Sequence, residues 1–360
     1  MRRWGWIGGV VFVAVAMLVA LSAQPAAPLR PAVPVDAISG ILDAFRTYSV
    51  VGMDTGQEAG DARGSAFLLS LIRDPRFTAI VNDLVLEGYS ARYQDILDRF
   101  VRGEDVPDSA LRPLWRDTTQ VNAINDEPPL EFFRAVRAIN APLPRVRQLR
   151  VLAPDPPIDW DLVHTTADYQ QWLAQRDSFP ADLTRREVIG KQRRALAVWG
   201  GGHLQRKNQA SNYQMDDPLA ATYVSLLEAA GTHVFVVVVR GAPIEEEAVR
   251  ASWPVPSIAL LRGTSAGAAD VASIMPQGRF SIRNGQLTPL PRDQWISMRV
   301  EDQVDAALWL GPASARRTTS FSPAACDPVL LETRARRRAL TGRPSDTDPL
   351  KQFCATLTPK

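Results

Sequence analysis

Short apolar runs alternate along the chain with segments of helical periodicity. Seven runs are short enough for strands, at residues 48–53, 83–87, 149–152, 195–199, 233–239, 257–261 and 306–310. Segments with the length and composition of helices lie between them, at 66–72, 93–101, 130–139, 167–176, 180–191 and 218–230. Because strands that alternate with helices form mostly parallel sheets, we predict an α/β fold with a central sheet flanked by helices.

The first 23 residues have the pattern of an export signal. Arg2 and Arg3 precede an uncharged apolar run at 5–21, which is shorter than the roughly 20 residues of a typical membrane span. We expect cleavage after Ala23, with an uncleaved N-terminal anchor as the alternative because Leu21 is not the small residue of an ideal cleavage site. The remaining chain is then exported, either periplasmic or tethered to the membrane and facing outward.

Proline content and composition set the domain organisation. Residues 24–40 contain four prolines and are predicted to form a linker, followed by a single domain over 41–357. Residues 263–291 are rich in Gly, Ser and Pro and are predicted to be a loop excursion from that domain. With 46% hydrophobic and 22% charged residues, the chain is neither disordered nor collagenous.

Charge and cysteine content limit the partners and the chemistry. The chain has 41 Lys and Arg against 39 Asp and Glu, a formal net charge of +2, so no excess of positive charge indicates nucleic acid. Cys326 and Cys354 have no histidine near them in sequence, which argues against a zinc cluster or a Cys-His nucleophile. In an exported protein we expect them to form a disulfide worth roughly 3 kcal/mol, with two unpaired thiols as the alternative.

Acidic residues and one histidine follow the predicted strands. In open parallel sheets ligands bind beyond the carboxyl ends of the strands, where this chain has Asp54, Glu87, Asp155, Asp159 and His203. Carboxylates with an imidazole can hold a divalent metal or serve as general acid and base. The three glycines before His203 allow the sharp bend that presents a side chain at a strand end.

Each of these residue patterns has a structural alternative. Asp155 and Asp159 are also typical of turn and helix-capping acids. The string Gly-Thr-Ser-Ala-Gly at 263–267 fits a nucleophile elbow, but no histidine follows His233, as the order of a hydrolase triad requires, so we interpret it as a glycine loop. We assign structural roles to His164 and His233.

Six segments together resemble bacterial proteins related to the ChaN-like and erythromycin esterase-like superfamily, which includes the Tiki metalloproteases. They lie at 72–77 (IRDPRF), 81–87 (VNDLVLE), 91–95 (ARYQD), 155–160 (DPPIDW), 200–204 (GGGHL) and 305–312 (DAALWLGP), and the similarity covers roughly 43–340. The resemblance implies an α/β domain. In hydrolytic members its pocket contains a Gly-Glu with a nearby His after the first strand, a Glu after the second, and a later His. Glu87 and His203 match the last two.

The chain departs from this family pattern after the first strand. Residues 52–60 contain neither a histidine nor a Gly-Glu pair, and Asp54 or Glu58 would have to supply a substitute carboxylate. The metal ligands would then be Asp54, Glu58, Glu87 and His203. Such a set favours Mn²⁺ or Mg²⁺ over Zn²⁺.

Two hypotheses of function follow. The first is an exported hydrolase of an ester or amide, metal-assisted or degenerate, in which Glu87 activates water and His203 is a ligand or the acid. Asp155 and Asp159 would contact a small-molecule substrate. The alternative is a non-catalytic member that holds haem or another ligand, as the ChaN-like resemblance implies. A divalent metal is the first choice of cofactor and haem the second, and we expect no membrane contact beyond the N-terminal segment.

Overall fold

The computed structural model describes residues 29–56, 61–121, 129–206, 221–239, 250–271, 279–283, 286–291, 297–315, 321, 323–341 and 348–357. Within these residues, one sheet contains eight strands: β1 (Pro34–Asp36), β2 (Val50–Met53), β3 (Asp83–Leu86), β4 (Arg150–Leu152), β5 (Ala195–Val198), β6 (Val234–Val238), β7 (Ser257–Leu260) and β10 (Ala306–Trp309). A separate hairpin pairs β8 (Arg279–Arg283) with β9 (Gln286–Leu290).

The helices of the described chain lie between and after these strands. They are α1 (Ala37–Ala44), α2 (Ala62–Arg73), α3 (Phe77–Ile80), α4 (Gln94–Val101), α5 (Arg112–Arg116), α6 (Pro129–Asn140), α7 (Thr166–Leu173), α8 (Ser178–Glu187), α9 (Tyr223–Ala229), α10 (Ser265–Ala268), α11 (Pro328–Leu340) and α12 (Pro349–Leu357).

The strand order is β1-β7-β10-β6-β2-β5-β3-β4. The six strands from β10 to β4 pair in parallel, whereas β7 is antiparallel to both of its neighbours. The predicted α/β fold with a mostly parallel sheet is therefore confirmed. Because β5 and β6 lie on opposite sides of β2, the strand order reverses at β2. At such a switch point, open sheets form a crevice beyond the carboxyl ends of their strands.

Both faces of the sheet are buried. Along β3, Leu84 and Leu86 pack in the hydrophobic cluster that includes α1, α2, α4 and α6, while Val85 packs in the cluster that includes α8 and α9. Alternate side chains point to opposite faces of a strand, so a strand covered on both sides must be apolar throughout. This explains why apolar runs located the parallel strands in the sequence.

All seven predicted sheet strands are present within one or two residues of their expected bounds. The edge strand β1 was not predicted, because it lies in the proline-rich stretch 24–40. Val35 pairs with Ile258 of β7, and Pro34 is tolerated because an edge strand does not need every N–H. Asp36 then caps α1 by accepting the Ser39 N–H at 2.8 Å, so regular structure starts before the predicted domain boundary at residue 41.

The segment predicted as a loop excursion contains regular structure. Thr264 caps α10 by accepting the Gly267 N–H at 3.0 Å, and the Ser265 N–H donates to the Arg30 carbonyl at 3.1 Å. The Gly-Thr-Ser-Ala-Gly string is therefore a capped helical turn rather than a glycine loop. The hairpin of β8 and β9 follows within the same segment.

A disulfide and a buried ion pair secure the C-terminal helices. Cys326 and Cys354 are bonded, with Cα atoms 5.5 Å apart, which ties α12 to the turn before α11. Arg334 Nε and Nη2 lie 2.5 and 2.9 Å from the carboxylate of Asp348, both side chains being buried. The predicted pairing of the cysteines is confirmed, and the alternative of two unpaired thiols is wrong.

The predicted export signal lies outside the described residues, which begin at 29. In the part of the chain that is described, no helix combines the length and the apolar character needed to cross a bilayer. The signal and its cleavage stay predictions.

Candidate functional site

Three neighbouring strands end at one place. β2, β5 and β3 are adjacent in the sheet and are followed by Asp54, by the turn 200–203 and by Glu87. The ladder continues past the end of β3, since the Glu87 N–H donates to the Val198 carbonyl at 3.0 Å. The structure thus brings together the strand ends that the sequence pattern placed at one edge.

Glu87 is the centre of this cluster, with a side chain only 9% exposed. Its Oε2 accepts the Gly200 N–H at 2.6 Å, and its Oε1 accepts Gln120 Nε2 at 2.8 Å and Arg176 Nη2 at 2.7 Å. A carboxylate this buried needs such partners, and the charged one is the strongest. Glu87 therefore joins the end of β3 to the end of β5 and to two loops.

His203 lies beside Glu87 and is held from its other side. Its Nδ1 is 2.8 Å from Asp177 Oδ1, an oxygen that also accepts the Tyr223 N–H at 2.7 Å. Its Nε2 is 3.5 Å from Glu87 Oε1. The Trp199 ring packs against the imidazole, with ring centroids 5.6 Å apart. The ring of His203 is thus fixed between two carboxylates.

Arg176 determines the tautomer of His203. Arg176 Nη2 lies 3.1 Å from His203 Nε2, and a guanidinium can only donate, so Nε2 is the acceptor when the imidazole is neutral. The proton then sits on Nδ1 and is donated to Asp177. If His203 gains a second proton, Nε2 can no longer accept from Arg176, and Glu87 Oε1 becomes its acceptor. We call Glu87, Gln120, Arg176, Asp177 and His203 the Glu-His site.

The surroundings of His203 raise its pKa above the usual value of an imidazole. Burial lowers the pKa, but the carboxylates of Asp177 and Glu87 outweigh it, while Arg176 acts against them. The charged form therefore persists to a higher pH than in an exposed histidine. An imidazole held between two carboxylates in this way can accept a proton and return it.

Asp155 holds the loop from which Gln120 reaches the Glu-His site. This residue is 4% exposed, and its two oxygens accept the Thr119 N–H and the Thr119 hydroxyl, each at 2.7 Å. Gln120, the next residue, donates to Glu87. Burial raises the pKa of Asp155 to about 6, and the two bonds from Thr119 oppose that rise. Asp155 thus holds the loop that delivers Gln120 to the site.

The raised pKa of Asp155 predicts a pH-dependent contribution to stability. The unfolded value is about 3.9, so Asp155 favours folding below about pH 4, and this contribution is lost as the pH rises through 6. Asp155→Asn does not titrate, and it can keep both contacts with Thr119, because the Thr119 hydroxyl can accept from the new NH₂ group. Between pH 4 and pH 7 its free energy of unfolding should therefore rise by about 2 kcal/mol relative to wild type, measured by urea denaturation. The exposed Asp43→Asn is the control. Parallel pH profiles for Asp155→Asn and wild type would contradict this assignment.

Asp54 lies under the glycine turn, as the order of the strands requires. Its side chain is buried, and Oδ1 accepts the Gly56 N–H at 2.7 Å. A Cβ atom on Gly201 would lie 2.9 Å from Asp54 Oδ2, whereas one on Gly202 would meet nothing within 4 Å. Gly201 is thus needed for the close approach to Asp54, whereas Gly202 is not.

These two glycines form a matched pair of substitutions. Gly201→Ala should lower the free energy of unfolding by about 1–2 kcal/mol, because Asp54 is held by Gly56 and cannot move freely away from the new methyl group. Gly202→Ala should change it by less than about 0.5 kcal/mol. Thermal denaturation of both variants measures the difference, and equal effects would show that the contact with Asp54 does not limit residue 201.

Of the two other predicted site residues, one makes different contacts and one lies outside the described residues. Asp159 accepts the Asp161 N–H at 3.2 Å and pairs with Arg92 at 2.7 Å, which are the contacts of an acid that caps the 3-10 turn Trp160–Leu162. Its role in substrate binding stays a prediction. Glu58 lies outside the described residues.

Arg176, Asp177 and Gln120 were not predicted from the sequence. Arg176 and Asp177 lie between α7 and α8, and Gln120 follows α5 in a loop. None of them follows a strand, so the strand-end rule does not select them. The one available signal is that a buried Glu87 needs a cationic partner, which predicts an arginine or lysine without saying which.

The site does not suit the predicted metal ion. Arg176 lies within hydrogen-bond distance of both Glu87 and His203, so in this structure a positive charge stands between the atoms that would be ligands. Among the described residues, no group of three or more His, Cys, Asp or Glu is arranged to hold a metal. Haem fits no better, because the same guanidinium covers His203 Nε2 and Asp177 holds Nδ1.

A surface groove of about 590 Å³ shares no residue with the Glu-His site. It lies between the start of α7 and α11 and is lined by Asp161, Val163, His164, Thr165, Thr166, Arg336, Ala339 and Leu340.

Comparison with known proteins leaves the family open. No family model matches the chain, and no curated protein matches it. Among solved structures, a protein of Bacillus cereus aligns with 10% sequence identity over 78% of this chain and 95% of that one. The TM-score is 0.46, so this likeness carries no argument about fold or function.

Proposed function

We propose that this chain is an exported hydrolase that cleaves a carboxylic ester or amide by general acid and base catalysis at the Glu-His site. The observation that carries the proposal is the placement of His203 between two carboxylates, with Asp177 Oδ1 2.8 Å from Nδ1 and Glu87 Oε1 3.5 Å from Nε2. Export rests on the N-terminal sequence pattern.

In this mechanism His203 carries the proton. Neutral Nε2 takes a proton from water, whose oxygen forms a bond to the carbonyl carbon of the substrate. The imidazolium is stabilised by Asp177 at Nδ1 and by Glu87 on the side of Nε2. When the tetrahedral intermediate collapses, the bond to the leaving group breaks. Nε2 then returns the proton to the oxygen or nitrogen of the leaving group. The products are a carboxylic acid and an alcohol or amine.

The geometry favours His203 over Glu87 as the base, which differs from the roles proposed from the sequence. The two oxygens of Glu87 already accept three hydrogen bonds, from Gln120, Arg176 and Gly200. Glu87 is therefore better suited to balance charge and to position His203 than to activate water. Asp177 behind the imidazole has the orienting role of the acid in a catalytic triad.

The test is hydrolysis of a panel of esters and amides by the purified full chain. We expect turnover by wild type and a loss of about 100- to 10,000-fold in His203→Gln, the range usual for a general base. His164→Gln is the matched control, because it removes an exposed imidazole elsewhere in the fold. No turnover by wild type, or equal rates for wild type and His203→Gln, would contradict the proposal.

A further inference from the structure

Arg176 covers Nε2 of His203, the atom that accepts the proton of water in the proposed mechanism. Its Nη2 is 3.1 Å from His203 Nε2 and 2.7 Å from Glu87 Oε1. While this contact lasts, the guanidinium uses the lone pair of Nε2. Water can donate to Nε2 only after Arg176 has moved away.

Moving Arg176 requires compensation for its ion pair with Glu87. The Arg176 side chain is 24% exposed against 9% for Glu87, so the arginine is the partner that reaches solvent. Glu87 would keep the bonds from Gln120 and Gly200, and the imidazolium that forms when His203 deprotonates water would face it from 3.5 Å. An anion that replaces Glu87 as the partner of Arg176 would favour this movement. Carboxylate and phosphate match the planar guanidinium best.

Two nearby carboxylates of the described chain already accept hydrogen bonds from other groups. Asp155 accepts two bonds from Thr119, and Asp177 accepts from the Tyr223 N–H and faces His203. A ligand anion can compete with the Glu-His site for Arg176, because it can offer two oxygens in the plane of the guanidinium.

We infer that the substrate carries a carboxylate or phosphate next to its scissile ester or amide bond, and that Arg176 binds this anion and thereby uncovers His203 Nε2. The inference rests on the proposed function and adds a substrate class to it. Arg176 is then the residue that selects anionic over neutral substrates.

A matched pair of esters tests this selection. Monoethyl succinate carries a carboxylate where ethyl succinamate carries a neutral amide of the same shape, and ethyl 3-phosphonopropanoate distinguishes phosphate from carboxylate. We expect kcat/KM of wild type to be about 10- to 100-fold higher for an anionic ester than for ethyl succinamate. In Arg176→Gln this ratio should fall toward one, and Arg176→Lys should keep part of it. Arg185→Gln, an exposed arginine of α8, is the control and should keep the wild-type ratio.

Two kinetic outcomes would overturn the inference. One is a wild-type enzyme without preference for either anionic ester. The other is an Arg176→Gln variant that is slower on all esters by the same factor, because that shows a structural role alone.

Binding separates this inference from the proposed function. If wild type cleaves no ester, calorimetry of the full chain with succinate, inorganic phosphate and neutral succinamide still tests the role of Arg176. Binding of either anion by wild type, lost in Arg176→Gln and retained in part by Arg176→Lys, supports the anion site although the hydrolase proposal fails. If wild type binds neither anion, the inference is wrong.

Discussion

Glu87→Gln is expected to destabilise the protein by about 3 kcal/mol and to lower any hydrolytic rate by at least about 100-fold. Glutamine has the shape of glutamate, but its NH₂ group can only donate. Both oxygens of Glu87 face donors, Gly200 on one side and Arg176 with Gln120 on the other, so either orientation of the amide sets a donor against a donor. The substitution also removes the negative charge of Glu87 from its ion pair with Arg176.

Urea denaturation and ester hydrolysis measure the two effects of Glu87→Gln. The control is Glu104→Gln, which removes an exposed acid paired with Arg99 at the surface and should change stability by less than about 0.5 kcal/mol. If Glu87→Gln is as stable as wild type, Glu87 does not hold the strand ends together as the structure indicates.

Gly64→Ala is expected to destabilise the protein by more than about 4 kcal/mol or to prevent folding. A Cβ atom on this residue of α2 would lie 1.9 Å from the carbonyl oxygen of Thr55, which directly follows Asp54. This oxygen belongs to the backbone, so it cannot rotate away as a side-chain atom can. The helix would therefore have to move away from the end of β2, into a buried interface.

A neighbouring substitution on the same helix provides the control for Gly64. Ser65→Ala changes a residue of α2 that already has a Cβ atom, so it adds no atom near Thr55 and should alter stability by less than about 0.5 kcal/mol. Thermal and chemical denaturation compare the two variants. A stable, folded Gly64→Ala protein would show that α2 does not approach the end of β2 this closely.

The parallel strands could be predicted because they are buried on both faces. A strand such as β6, with five consecutive buried residues, is apolar throughout and stands out from the helices around it. The edge strand β1 lacks this signal, since it is short, partly exposed and begins with Pro34. Its position depends on pairing with β7, more than 200 residues later, which no local pattern encodes.

The candidate site could be predicted only in part. Glu87 and His203 follow strands, and the rule for parallel sheets places their ends at one edge. Arg176 and Asp177 reach the same place from the connection between two helices, and their position depends on how α7 and α8 pack on the sheet. The sequence therefore indicated Glu87 and His203. It indicated neither Arg176, which contacts both, nor Asp177, which faces Nδ1 of His203. The arginine changes the chemistry, because it stands where the predicted metal would bind.

The most direct test of the Glu-His site is the protonation of His203, followed by ¹⁵N NMR of the imidazole in the full chain. The signal can be assigned with His203→Gln, since the sequence contains three histidines. The structure predicts the Nδ1–H tautomer in the neutral state and a pKa above the usual value of about 6.5. Glu87→Gln and Asp177→Asn should each lower that pKa, because each removes a negative charge beside the ring. A His203 that titrates at or below the usual value in wild type, and does not respond to Glu87→Gln, would contradict the account.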